Sequence, residues 1–190
     1  MSGREAASAV KWALQAGYRG IDSAQMYRNE KDCGQAILSF LNDKATNTAG
    51  LTREDIFFTS KLASNTNYET ARHSIKQSVL ASGLGYIDLF LLHSPYGGKS
   101  ARLSSWRAVE DAIQDGEIKI GGVSNFGVKH LDELVASKPR IMPAVNQIEV
   151  HREFSLQHKM PSHGTTELTI LSIQYSDKHR RSLQEVQHSG

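Results

Sequence analysis

A chain of 190 residues, 39% hydrophobic and 22% charged, can bury a core and has the composition of a soluble globular domain. Its net charge of +2 comes from interspersed acids and bases, whereas a nucleic-acid surface shows as cations clustered on one face. No apolar run approaches the roughly 18 residues of a membrane helix, the start Met-Ser-Gly-Arg-Glu-Ala-Ala lacks the apolar stretch of a signal peptide, and the single cysteine, Cys33, rules out an internal disulfide. A cytoplasmic protein is the expectation.

Helical and strand-like patterns alternate from residue 5 to 151. Ala6, Val10, Ala13, Leu14 and Gly17 share one helical face, and the run Arg19–Ala24 reads as a strand. Cys33, Ile37, Phe40 and Leu41 mark a second helix, followed by a strand over Ile56–Lys61. Ala71, Ile75 and Val79 lie on a third helix stopped near Gly83, and Tyr86–His93 is the third strand. Trp106, Val109 and Ile113 form a fourth helix stopped near Gly116, before a strand over Ile118–Asn125. Leu131, Leu134 and Val135 mark a fifth helix, and Ala144–His151 is the fifth strand.

A 3.6-residue period alternating with short apolar runs means repeated βα units and a parallel α/β sheet. Strands apolar on both faces need helices to cover them. Both a doubly wound open sheet and part of a (β/α)8 barrel fit this pattern.

After His151 the rhythm stops. Residues 152–190 are rich in Ser, Gln, Thr and cations, and are expected to be poorly ordered. Leu168–Tyr175 could be a strand and 182–187 a short helix, and the basic run Lys178–Arg181 reads as a solvated charge cluster. The expected division is therefore 1–151 as one domain and 152–190 as a tail.

The strands end on chemically useful residues: Asp22 with Tyr27 soon after, Lys61, His93, Ser124 with Asn125, and then Asn146, Gln147 and Glu149. In a parallel array these ends share one edge, where active sites of α/β folds lie. Each residue taken singly has an ordinary explanation as a cap, rim charge or core group. Together they put an acid, a phenol, an ammonium and an imidazole on one rim.

The local motifs carry a resemblance. Gly17-Tyr-Arg-Gly-Ile-Asp-Ser-Ala-Gln-Met-Tyr-Arg-Asn-Glu30, Phe58-Thr-Ser-Lys-Leu62, Asp88-Leu-Phe-Leu-Leu-His-Ser-Pro95, Gly121-Gly-Val-Ser-Asn-Phe126 and Asn146-Gln-Ile-Glu-Val-His151 resemble, in order and spacing, segments of the aldo-keto reductase family. The resemblance implies a partial (β/α)8 TIM barrel, about strands 2–6 of the family's eight. It implies hydride transfer between NADPH/NADP+ and a small-molecule carbonyl or alcohol substrate. Tyr27 would be the general acid/base, Lys61 its charged neighbour, Asp22 the partner of Lys61, and His93 the group that orients the carbonyl. Asp22, Ser124, Asn125 and Gln147 would hold the cofactor, the last three at its carboxamide. Tyrosine, with a pKa of about 10, is a poor acid near neutral pH, and a neighbouring ammonium favours the phenolate. Tyr96, after His93-Ser-Pro, reads equally as a residue lining the substrate pocket or as a surface-loop aromatic.

The pattern departs from the family in three places. The chain begins in the helix after the family's first strand, Arg152 stands where the family usually has proline, and no match to the seventh and eighth strands follows. Five strands cannot close a barrel, so open edges and self-association are expected. A truncated or misspliced gene model with a frame-shifted tail is the expected origin of residues 152–190, and a catalytically inactive, truncated remnant that serves, if at all, as an interaction module is the alternative function. A metal-dependent hydrolase using His93 and His151 is a third reading, but the rim lacks paired ligand spacing, so no metal is expected.

Overall fold

The computed structural model describes residues 3–148. The expected units appear in the expected order: α1 Gly3–Gln15, β1 Gly20–Asp22, α2 Glu30–Asn42, β2 Phe57–Leu62, α3 Tyr68–Ser82, β3 Ile87–Leu92, α4 Gly98–Gln114, β4 Ile118–Ser124, α5 Val128–Ala136 and β5 Asn146–Gln147. Single 3-10 turns occupy Gln25–Tyr27 and Arg53–Asp55.

All five strands are parallel and lie in chain order β1-β2-β3-β4-β5. A doubly wound sheet reverses its strand order and carries helices on both faces; this one does neither. One residue pair fixes the curvature. Gln147 on β5 donates from Nε2 to Asp22 Oδ2 on β1 at 3.1 Å. The first and fifth strands of a flat sheet stand roughly 19 Å apart, beyond the combined reach of these side chains. The sheet therefore curls into a half-barrel with its carboxyl ends drawn together.

The pleat sorts the side chains. Phe58 and Leu62 of β2, Phe90 and Leu92 of β3, and Val123 of β4 turn outward into one core with Leu14, Ile37, Ile75, Trp106 and Val109 from the helices. Their neighbours Thr59 and Lys61, Leu89 and Leu91, and Gly122 and Ser124 line the concave face in register. Phe57 and Ile120 on that face are 42% and 38% exposed, which a half-barrel permits and a closed one does not.

Helix packing needs one close approach. A Cβ on Gly34 of α2 would run into the Ser82 backbone carbonyl of α3, so the α2–α3 contact requires glycine there. Gly83 and Gly116 stop α3 and α4 as the sequence suggested, with φ of 67° and 73°. Gly17 is a correction: it lies in the turn after α1 with φ 97°, not on the helix's buried face. The first strand is also shorter than Arg19–Ala24, because the chain breaks into the Gln25–Tyr27 turn directly after Ser23 bonds to β2. The readings of residues 152–190, including the strand at Leu168–Tyr175, the helix at 182–187 and the Lys178–Arg181 run, lie outside the described residues, as do Glu149 and His151. Among the described residues no helix is long and apolar enough to cross a membrane.

Candidate active site

Asp22 ends β1, and Lys61 lies on β2 two residues beyond Thr59, the register partner of Asp22. Two steps along a strand return to the same face, so both side chains stand on the concave side at the rim. Lys61 is 2% exposed. A buried ammonium requires a counter-charge and hydrogen bonds. Lys61 has both, in an ion pair with Asp22 Oδ1 and a hydrogen bond of 3.1 Å to the Ser23 carbonyl.

Tyr27 closes the 3-10 turn after β1, and Arg28 follows in the left-handed region at φ 54°. Its ring centroid is 5.4 Å from Lys61 Nζ. The His93 ring, just past β3, meets it edge-on at 5.8 Å and 83°. Tyr27 is 45% exposed, while Lys61 beside it is buried. Burial, reinforced by the Lys61 charge and opposed by Asp22, holds His93 below the usual histidine pKa, so its imidazole is neutral near pH 7. His93 Nδ1 is buried without a hydrogen-bond partner.

The second cluster lies at the ends of β4 and β5. Ser124, almost fully buried, donates to the Gln147 carbonyl at 3.0 Å. Asn125 donates to Ser124 Oγ at 3.1 Å and to the His93 carbonyl at 3.4 Å, from a left-handed backbone at φ 59°. Gln147 reaches Asp22, as above. All seven sequence-derived site residues therefore share one rim, joined by hydrogen bonds and ring contacts.

Asn146 is different. Its buried amide accepts from Phe126 N–H at 3.2 Å and donates to the Phe126 carbonyl at 2.7 Å, which fastens the β4–α5 loop. Tyr96 is 80% exposed, and its carbonyl accepts from Asn65 at 2.6 Å. Among the described residues no group of three or more His, Cys, Asp or Glu could hold a metal ion.

Sequence reasoning passed over Gln25, which ties the Tyr27 turn to α3 and to the end of β2. A polar residue between Asp22 and Tyr27 was the available signal, but its partners lie 38 to 53 residues away. A cavity of about 700 Å³ beside β1 runs from Ala6 and Val10 of α1 to Asp22 and Tyr27, with Cys33 in its wall. Burial and the Asp32 charge push the Cys33 thiol up to about 11, so it carries little thiolate.

The aldo/keto reductase family model matches residues 1–167. An uncharacterized oxidoreductase of Schizosaccharomyces pombe is 55% identical over 148 residues, covering 78% of this chain and 50% of that protein. Glyoxal reductase of Bacillus subtilis is 40% identical over 151 residues, covering 79% of this chain and 50% of that protein. The crystal structure of a Bombyx mori aldo-keto reductase in complex with NADP aligns with a TM-score of 0.66 and 37% identity, over 76% of this chain and 48% of that one. The chain spans about half the length of the curated relatives it matches. A curled parallel half-barrel, the strand-end motifs and a family match over most of the sequence agree: the chain belongs to the aldo/keto reductase family.

Proposed function

We propose that the chain supports reduction of a small aldehyde or ketone with NADPH, and the reverse oxidation of the alcohol, with Tyr27 as general acid/base. The observation that carries the reading is the buried Lys61 ammonium, paired with Asp22, lying against the ring of a half-exposed Tyr27. Glyoxal reductase among the relatives supports a small, polar carbonyl as substrate. The neighbour crystallised with NADP supports the cofactor.

The residues present fit the nicotinamide end of that cofactor. A carboxamide offers one acceptor and two donors, and the Ser124 hydroxyl with the Asn125 and Gln147 amides offers both kinds of partner. When bound, the reduced nicotinamide supplies the hydride taken up by the carbonyl carbon. Tyr27 hydrogen-bonds the carbonyl oxygen and gives it the phenolic proton as negative charge builds there. The Lys61 ammonium stabilises the phenolate that remains, and Asp22 keeps that ammonium in place. His93, neutral, donates an N–H to the same oxygen and sets its direction. Solvent returns a proton to Tyr27 through its exposed side. The product is the alcohol, with one hydride added at carbon and one proton at oxygen.

The outer edge of β1, unpaired among the described residues and beside an apolar cavity, supports self-association of the chain. The domain division at residue 151 and a cytoplasmic location belong to the same reading.

The test follows NADPH consumption with glyoxal and simple aldehydes, alongside Tyr27→Phe. Turnover in the unaltered chain and its loss in Tyr27→Phe is the expected result. Equal rates in both would remove Tyr27 from the chemistry. Titration with NADPH through the fluorescence of Trp12 and Trp106 measures binding separately.

A further inference from the structure

We propose that Gln25 is a positioning residue: its side-chain amide sets the Tyr27 phenol against Lys61. The proposal rests on the reading of Tyr27 as the acid, but its geometry stands on contacts independent of it.

An amide side chain can donate two hydrogen bonds from nitrogen and accept two at oxygen. Gln25 uses all four. Nε2 donates to the Ser74 carbonyl at 3.1 Å and to Ser78 Oγ at 2.8 Å. Oε1 accepts from Ala63 N–H at 2.8 Å and from Ser74 Oγ at 3.1 Å. No other natural side chain of this length supplies two donors and two acceptors from one planar group, so the site selects glutamine.

The placement of these contacts gives the amide its role. Gln25 opens the 3-10 turn that Tyr27 closes, and Tyr27 N–H bonds back to the Ala24 carbonyl at 2.9 Å. Ala63 stands two residues past Lys61 on the run out of β2. The one amide therefore grips the turn that bears the phenol and the segment that follows the ammonium, and anchors both to the same stretch of α3. Besides Gln25, the segment around the Tyr27 turn is held by Ser23–Asn29 at 2.6 Å, by the Glu30–Ser60 contact and by Lys61 bonding to the Ser23 carbonyl. None of these three bonds reaches α3.

The test uses the full chain with tyrosine labelled at the ring carbon bearing the hydroxyl. The Tyr27 signal, one of six, is identified by its loss in Tyr27→Phe. In Gln25→Leu the Tyr27 signal is expected to shift while the other five hold, because the ring leaves the edge-on contact with His93. Gln25→Glu keeps both acceptor contacts and should bring the signal part of the way back. In turnover, kcat is expected to fall roughly 10- to 100-fold, as a small misplacement of a reacting group does, with KM changed by less than about threefold. An unmoved Tyr27 signal in Gln25→Leu overturns the proposal. If Gln25→Leu fails to melt cooperatively, the double variant Ser74→Ala with Ser78→Ala decides. It removes the two hydroxyl partners on the helix and leaves only the Ser74 carbonyl there, while favouring the helix, and again a shifted signal supports the role and an unmoved one overturns it. A chain that shifts Tyr27 in this way but turns over no carbonyl defeats the reading of Tyr27 as acid and leaves the positioning role standing.

Discussion

The two halves of the rim are held in different ways. Asp22, Tyr27, Lys61 and His93 sit among β1, β2 and β3, and their positions are set by contacts leading away from the mouth. Lys61 bonds inward to the Ser23 carbonyl, the Tyr27 turn is tied to α3, and Ser60 beside Lys61 bonds to Glu30 of α2. Ser124, Asn125 and Gln147 sit at the ends of β4 and β5, and their polar atoms bond to one another and to the first group. Under the proposed function, the first cluster is in place before anything binds, whereas the second, bonded within itself, would exchange some of its hydrogen bonds for a ligand's. On that reading turnover would depend on local contacts and cofactor affinity on that exchange.

Lys61→Met should produce the largest effect. Removing a preorganised charge from beside a developing phenolate costs about 3 to 4 kcal/mol at the transition state, or roughly a thousandfold in rate. Stability should change little, because the substitution leaves the half-exposed Asp22 solvated and buries an apolar chain. Asp22→Asn should do the reverse on stability, since it strands a buried ammonium. Chemical denaturation of the two variants measures this contrast, and equal midpoints would mean that the pair is not the internal support described.

Gly34→Ala comes next. The added Cβ meets the Ser82 backbone, so α2 and α3 must separate, at a cost of about 2 to 3 kcal/mol. The melting temperature should drop by roughly 4 to 10 °C. Because these two helices carry the contacts of the first cluster, turnover at a temperature where the variant stays folded should fall, while NADPH affinity stays within about twofold. A loss of affinity as large as the loss of turnover would merge the two regions into one.

The sequence revealed the βα rhythm and the seven rim residues for the same reason: both depend on short-range pattern. Ile75 and Val79 repeat at helical spacing on α3, and Lys61 and His93 close apolar runs. Curvature was not legible in the periodicity, because a doubly wound sheet gives the same alternation; the family resemblance implied a partial barrel, and the half-barrel bears that out. What decided it was Gln147 bonding to Asp22, a pair 125 residues apart. Gln25 was illegible for a related reason. Its partners are a backbone amide on β2's exit and two serines on α3, groups with no distinctive local signature. Gly17 was misplaced because a small residue at helical spacing fits both a buried face and a terminating turn, and its positive φ is visible only in the fold.

Gln147→Leu separates the regions from the other side. It removes a hydrogen bond to Asp22 and a candidate bond to the neutral carboxamide, the latter worth about 0.5 to 1.5 kcal/mol, so NADPH should bind roughly 2- to 10-fold more weakly. The Tyr27 resonance should stay in place, because Lys61, His93 and the Gln25 bonds, the contacts described for that ring and its turn, lie on the β1–β3 side of the rim and on α3. Movement of Tyr27 in this variant would show that the Gln147–Asp22 contact supports the first cluster as well as closing the half-barrel.

The smallest effect is a pH dependence that belongs to His93. In the folded chain its pKa lies below the ordinary 6.5, chiefly through burial and next through the Lys61 charge. Below about pH 6.5 the unfolded chain therefore binds more protons at this position than the folded chain does, and stability rises with pH through that window. Acidification from about pH 7.5 to about pH 5.5 should weaken the fold, with the loss levelling off once the folded imidazole also protonates. Other histidines titrate in the same range, so the measurement is a difference: denaturation midpoints across this interval for the unaltered chain and for His93→Asn. The unaltered chain should show the steeper decline on the acid side. Gln147→Leu should keep that steepness, since the Lys61 and Asp22 charges acting on His93 lie on β2 and β1. Parallel curves for the unaltered chain and His93→Asn would mean that the imidazole is as free to protonate in the fold as out of it, and the enclosed first cluster would then have to be drawn as open to solvent at His93 as it is at Tyr27.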